Sequence, residues 1–503
     1  MTNSTSVRAA IAAMIAMSAV QFTPLPAAEP VPASPREIVI FPFDDHTLQL
    51  NKGLVLSLVA GRKHTRQDPL HPNKPVVEIG KKGDPDDRRI RFYGTVLHVD
   101  GEYRMWYAAN THICYAVSRD GIQWEKPKLG LAPYNGSTAN NIVTIDGQPL
   151  AGMNAFVLHE PEDPDPDRRF KMLWEDAIPG VSWPVFAAVS RDGLRWKRLG
   201  GGKPINPTHQ IEPTGLIKFD GIYYVNGHSR AIHHPVPGAH KRTMQTFAST
   251  NFETWSSASV MSFRRDNLPP RPIRDFEGNR GEQVHVGASV WNRGNVLLGF
   301  YGQYHNETND RRTSVCDIGF IVSNNALNFR EPLPDFKMIP SFEEADRAEA
   351  RLIQGQAFQN IGERTIVYYG IWPEVDRTSP TGVRIATWQR DRLGCYSPSP
   401  DIDDAHCITM PLRPLRPGAR IYVNADGLSA DSQLSVEVLD ERFRPIPGYS
   451  GRDSRPLDAP GFRLPVSWRA GDRLASSDQP IRVRVNWHGR RPQQARLFAV
   501  YIE

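Results

Sequence analysis

Glu212 stands near the head of the run Gln210-Ile211-Glu212-Pro213-Thr214-Gly215, and Glu282 holds a comparable place in Gly281-Glu282-Gln283-Val284-His285-Val286-Gly287. A carboxyl at the mouth of an apolar strand can reach a ligand, and its buried surroundings raise its pKa toward the range useful for proton transfer. His285 shares the run of Glu282. Gln354 and Gln356 lie two residues apart on one face, and Asn154 and Tyr93 sit in the corresponding runs upstream. Carboxylates, amides, an imidazole and a phenol gathered in one funnel suit the recognition of a polyhydroxylated ligand. They also suit glycosidic cleavage, which needs a proton donor and a second carboxylate. Each residue has a plainer reading: Glu212 as a solvated strand end, Glu282 as a bridge to Arg280, His285 as a satisfied core histidine, and the glutamines as ties between strands.

These residues need a scaffold that brings distant strand mouths together, and a repeat supplies one. A hydroxyl residue followed six positions later by an aromatic or apolar one recurs as Ser118-Arg119-Asp120-Gly121-Ile122-Gln123-Trp124, Ser190 to Trp196, Ser249 to Trp255, Ser323 to Phe329 and Thr387 to Leu393. A spacing of about 60–75 residues suits a four-stranded propeller blade with loop insertions. Its Asp is expected to brace the turn and its Trp to pack between sheets. Upstream of most copies, two apolar runs flank a tight turn: Asp100-Gly101, Asp220-Gly221, Asn292 to Asn295, and Asn360 to Glu363. Asp-Gly between alternating runs is a strong hairpin signal. The second copy departs, with a Pro/Asp insertion at Pro161 to Asp167. The chain therefore reads as all-β, a five-bladed β-propeller followed by a C-terminal antiparallel β-sandwich. The expected domains are a propeller over 36–395, a Pro-rich linker over 396–416 and a sandwich over 417–503. Ile38-Val39-Ile40-Phe41 is expected to pair with the last blade and close the ring. The best helix candidate is Phe342 to Leu352.

The bulk composition narrows the function classes. The 503 residues carry a net charge of +5 from scattered Lys and Arg, which argues against nucleic-acid binding. Arg8, the apolar stretch Ala9 to Val20 and Pro26-Ala27-Ala28 read as a signal peptide over 1–28, so a secreted or periplasmic product with no membrane contact beyond the cleaved signal is expected. Cys395 and Cys407 flank a loop that an exported chain can close with a disulfide, whereas Cys114 and Cys316 are expected as buried thiols. No zinc-ligand spacing occurs, and neither metal nor cofactor is expected.

The phrase Tyr115 to Pro127, the following Asn140-Asn141-Ile142-Val143 and Glu212 ahead of its hairpin resemble the five-bladed propeller glycoside hydrolases of the arabinanase/xylosidase and invertase/fructosidase groups. The likeness is nearest to bacterial proteins with an invertase-like N-terminal domain, over roughly residues 36–395. The resemblance implies a glycosidase, which with the leader would be exported, acting on a polysaccharide or oligosaccharide with Glu212 as general acid; a monomer is expected. It also implies a catalytic Asp in the first blade and a supporting Asp in the second; here those places hold Phe92-Tyr93 and Asn154. Glu282 is then the second carboxylate, as base or nucleophile, ahead of Asp86 or Asp87. Tyr93, Asn154, His285, Gln354 and Gln356 are the substrate-binding candidates. Three alternatives stand beside this reading: a non-catalytic carbohydrate-binding propeller, a glycoside phosphorylase binding phosphate through Arg89, Arg91 and His285, and a structural or adhesive surface protein with no funnel carboxylates.

Overall fold

The computed structural model describes residues 37–63, 75–176, 184–205, 211–228, 242–265, 281–308, 310, 313–341, 351–372, 381–414, 416–474 and 479–503. The leader read over 1–28 and the helix read from Phe342 lie outside the described residues, apart from Arg351 and Leu352 at the end of that helix, which are extended. The described chain is all-β, with only short 3-10 turns besides its strands.

Five antiparallel hairpins organise residues 90–371. They pair Ile90–Val99 with Glu102–Ala109, Phe156–His159 with Phe170–Glu175, and Glu212–Phe219 with Ile222–His228. The fourth pairs Gly281–Asn292 with Leu297–Asn306, and the fifth Leu352–Ile361 with Arg364–Ile371. The Asp-Gly turns form as the sequence requires. Asp100 and Asp220 adopt φ of 53° and 49°, and Gly101 and Gly221 follow at 80° and 79°. Two consecutive positive φ values match the twist of the flanking strands, and Asp-Gly tolerates them.

A third strand then pairs with the second strand of each hairpin, and in the first four it ends on the first residue of the repeated phrase: Ser118, Ser190, Ser249 and Ser323. The phrase works as a brace. Asp120 Oδ1 accepts from the amides of Ile122 and Gln123 at 2.8 Å each, while Ser118 Oγ accepts from Gly121 N at 2.8 Å. Asp192, Asn251 and Asn325 repeat the pattern. Trp106 Nε1 donates to Gly193 O at 2.7 Å, so an aromatic ring of the first hairpin caps the turn of the second repeat.

The first strands of the five hairpins pack in cyclic order, each against the next, and the fifth returns to the first through a parallel bridge between Gln356 and Thr95. Polar side chains tie neighbours at this level. Thr95 Oγ1 donates to Ala155 O (2.9 Å) and accepts from Val157 N (3.0 Å), and Asn226 Oδ1 accepts from Ala288 N (2.9 Å).

Two further sheets follow. One runs in the order Gly461–Pro465, Ile421–Asp426, Arg496–Ile502, Gly394–Pro398, Leu54–Leu58; the other runs Leu50–Lys52, His406–Ile408, Ile481–His488, Gln433–Asp440. Both enclose a core that includes Trp468, Val423, Val436 and Val485.

Two expectations are corrected, and the bridge left open between Cys395 and Cys407 does not form. Ile38–Ile40 pairs with Arg496–Ile502 instead of the last repeat. Its alternating side chains explain this: Ile38 and Ile40 enter the C-terminal core, while Val39 and Phe41 enter the core that holds Phe300, Phe320 and Trp388. The fifth repeat is instead extended by Arg62–Lys63 and Val77–Glu78. Within 396–416, Tyr396 and Cys407 lie on strands of the two C-terminal sheets and in their shared core, because an apolar residue every other position is buried against the neighbouring sheet. Cys395 and Cys407 are free buried thiols on different sheets, and burial pushes the Cys407 thiol up to about 12. Cys114 and Cys316 are buried and free as expected. No helix among the described residues is long and apolar enough to cross a membrane.

Candidate active site

In an antiparallel hairpin the start of the first strand meets the end of the second, so one rim of the ring collects residues from both. Three adjacent hairpins each place a carboxylate there: Glu175, Glu212 and Glu282.

In the second hairpin, Asn154 lies just ahead of the first strand and Glu175 ends the second. Asn154 grips Glu175 at two points: its Nδ2 donates to Oε2 at 3.0 Å and its Oδ1 accepts from Glu175 N at 2.8 Å. Glu175 is 1% exposed, and its Oε1 has no hydrogen-bond partner among the described residues. Burial pushes its carboxyl well above the ordinary value, the charge of Glu212 pushes it further, and Asn154 and Arg91 oppose the rise. Arg91 reaches this corner from the first hairpin, with Nη1 at 3.3 Å from Met153 Sδ.

In the third hairpin, Glu212 and His228 are direct cross-strand partners. Glu212 Oε2 lies 3.7 Å from His228 Nε2, and the glutamate side chain is 26% exposed while the histidine is 5% exposed. In the fourth, Glu282 and His305 occupy the same relation. Glu282 Oε1 is hydrogen-bonded to His305 Nδ1, and Oε2 lies 3.0 Å from Arg265 Nη2, which also holds Asp335 Oδ1 at 2.7 Å.

The other candidates are placed as follows. Tyr93 and His285 pack in one aromatic cluster, with ring centroids 6.4 Å apart, and Trp372 approaches His285 at 4.7 Å. Gln354 Nε2 donates to His285 O (3.1 Å) and Gly287 O (2.8 Å). Gln356 accepts from Leu216 N at 2.6 Å and also donates to Leu216 O. Both amides thus tie the fifth hairpin to the fourth and third, and Gln356 bonds the third hairpin, which is not adjacent to its own in the cyclic order. Asp86 is buried beneath Tyr107 (2.9 Å) and Lys126 (2.5 Å), and Asp87 accepts from Asn110 (3.1 Å), so both are engaged within the first repeat. Among the described residues no cluster of three or more His, Cys, Asp or Glu side chains is arranged to hold a metal.

Glu175 ends a second strand and so lies outside the first-strand mouths from which the candidates above are drawn. The signal was present: an acid closing the buried run Phe170-Lys171-Met172-Leu173-Trp174, in hairpin register with Asn154.

Glu175→Gln has a signed consequence. A carboxyl whose folded pKa is raised contributes stability below its unfolded value, and that contribution is lost as pH rises toward the folded value. Glu175→Gln is therefore expected to unfold at a higher temperature than the parent at about pH 8, with the difference vanishing near pH 4. Thermal unfolding across that range checks it; an unchanged difference at both ends sinks the assignment of a buried, proton-holding Glu175.

No known family profile matches the chain. Two uncharacterized proteins of Mycobacterium tuberculosis, from strains H37Rv and CDC 1551, are each 26% identical to it over 160 residues, which is 30% of this chain and 46% of theirs. The chain thus spans about half the length of the curated relatives it matches. Among solved structures, a thermostable family-43 glycoside hydrolase is 14% identical, with 62% of this chain and 90% of that chain covered and a TM-score of 0.42. A glycosyl hydrolase from Bacteroides ovatus is 13% identical, over 67% and 95%, with a TM-score of 0.41. A structure from the GH130 family of mannoside phosphorylases, which contains glycoside hydrolases that target β-1,2 mannosidic linkages in Candida mannan, is 15% identical over 66% and 95%, with a TM-score of 0.40.

Proposed function

We propose that this chain is an exported glycoside hydrolase, a five-bladed propeller joined to a β-sandwich, which cleaves a polysaccharide or oligosaccharide at the rim described above. The observation that carries the reading is the neighbouring pair of carboxyls, Glu175 and Glu212, in unlike environments. Glu175 is buried and raised by burial and by the charge of Glu212, whereas Glu212 is partly exposed. Burial first, and then the charge of Glu212, favour the protonated form of Glu175, and two carboxyls set in such unlike environments can divide acid and base roles. Glu212, the accessible member, delivers a proton to the glycosidic oxygen, and Glu175 is its buried partner. Asn154 holds Glu175 through two contacts, and the charge of Arg91 acts on the same carboxyl.

Glycosidic cleavage also needs a group opposite the donor. The fourth hairpin, packed directly against the third, supplies Glu282 and His305 for that side. The test is release of reducing ends from a panel of plant and microbial oligosaccharides, run with and without inorganic phosphate. Cleavage independent of phosphate supports hydrolysis, and cleavage only with phosphate transfers the reading to phosphorolysis. Phe92 and Tyr93, standing where the resemblance expects an Asp, favour a second reading as a sugar-binding propeller. Calorimetric binding with no bond cleavage on the same panel would establish that reading and end the first.

A further inference from the structure

The third and fourth hairpins carry the same cross-strand pair in opposite orientation. Glu212 faces His228 and Glu282 faces His305, each pair in register at the same rim. In the third hairpin the carboxylate is the exposed member. In the fourth the order is reversed: the His305 side chain is 35% exposed and Glu282 only 4%. Glu282 has both oxygens engaged, Oε1 on His305 Nδ1 and Oε2 on Arg265, whose own side chain is 1% exposed and anchored on Asp335. A carboxylate held in this way is poorly placed to touch a ligand and well placed to orient an imidazole.

We propose that His305 is the catalytic base at this rim and that Glu282 is its positioning residue. The inference rests on the glycosidase reading and names the second group of that site. Glu282, paired with Arg265, accepts the Nδ1 proton of His305 and so fixes the tautomer with the lone pair on Nε2. The exposed groups around that nitrogen include Glu307, whose Oε1 lies 3.8 Å away. In the reaction, Nε2 takes a proton from water as the water oxygen bonds to the anomeric carbon. The glycosidic carbon–oxygen bond breaks, and the leaving oxygen takes its proton from Glu212. The proton then passes from His305 back to Glu212 through solvent, restoring both groups with no outside reagent.

The experiment uses the full-length protein and the oligosaccharide that the parent cleaves fastest. His305→Ala is expected to lower kcat by about 10²–10⁴-fold with KM nearly unchanged, and free imidazole is expected to restore part of the rate to His305→Ala but none to Glu212→Gln. Glu282→Gln is expected to lower kcat while leaving KM in place. Nitrogen NMR of histidine-labelled protein is expected to show His305 protonated at Nδ1 in the parent and redistributed between tautomers in Glu282→Gln. If His305→Ala keeps kcat within about threefold of the parent while Glu212→Gln is inactive, the inference fails and the glycosidase reading stands. If the parent cleaves no oligosaccharide, that reading fails, and the NMR arm still decides the dyad: an Nε2-protonated His305 overturns it.

Discussion

Glu212→Gln is expected to reduce kcat by about 10²–10⁴-fold, the usual contribution of a positioned proton donor. The amide has the same shape and no proton to give, and the residue it replaces is partly exposed, so the fold is expected to survive intact. KM should change little, because a transition-state interaction is lost and ground-state binding is not. The measurement is reducing-end release by parent and variant at matched protein concentration, with thermal unfolding as the control for folding. Full activity in Glu212→Gln removes the residue from the mechanism. A companion change, Asn154→Leu, releases Glu175 from both of its Asn154 contacts without touching Glu212. It is expected to move the pH profile of kcat while leaving the activity measurable, and an unmoved profile would show that the two carboxyls do not act as a unit.

The second large effect concerns how the ring is held to the C-terminal sheets. Arg293, in the turn of the fourth hairpin, places Nη1 at 2.6 Å and Nη2 at 3.3 Å from the carboxylate of Asp391. Asn360 of the fifth hairpin and Tyr501 of the C-terminal strand Arg496–Ile502 each donate to the same carboxylate at 3.0 Å. Burial would raise the Asp391 carboxyl, but the charge and hydrogen bonds of Arg293 hold it below the ordinary value, helped by Asn360 and Tyr501. Arg293→Met leaves that carboxylate buried without its cation and is expected to cost about 3–5 kcal/mol, the range for breaking one side of a buried pair. A group with a depressed folded pKa contributes stability above its unfolded value and loses it as pH falls through the folded one. The deficit should therefore be largest near neutrality and shrink on acidification. Denaturant unfolding at two pH values measures it, and Asp391→Asn in the same background is expected to recover part of the loss. A variant as stable as the parent at neutral pH would mean that water reaches Asp391 once Arg293 is gone.

Some of this protein was legible one residue at a time. Asp100-Gly101 and Asp220-Gly221 specify hairpins because the backbone angles of a tight turn are a local matter. The Ser-x-Asp phrase likewise braces its own turn, through bonds spanning two or three residues. Alternation within those hairpins then put Glu212 and Glu282 at strand starts, where the sequence reading had located them. Local pattern did not predict which strand a partner would come from. Ile38–Ile40 left the last repeat for the C-terminal sheet because each of its faces had a different core to fill. Gln354 and Gln356 lie two apart, yet the register shifts between Gln354 and Phe358, and their amides meet backbone groups of different hairpins that only the closed ring brings near. The roles at the rim were decided the same way. Glu175 became a partner of Glu212 because the second hairpin packs beside the third, and Glu282 was turned inward because Arg265 lies behind it. The sequence determined where the hairpins turn and that Glu212 and Glu282 lie near the starts of their first strands, since turns and alternation are short-range. Only the tertiary structure decided which of the rim residues are buried, paired or exposed, because desolvation and charge pairing depend on neighbours tens to hundreds of residues away.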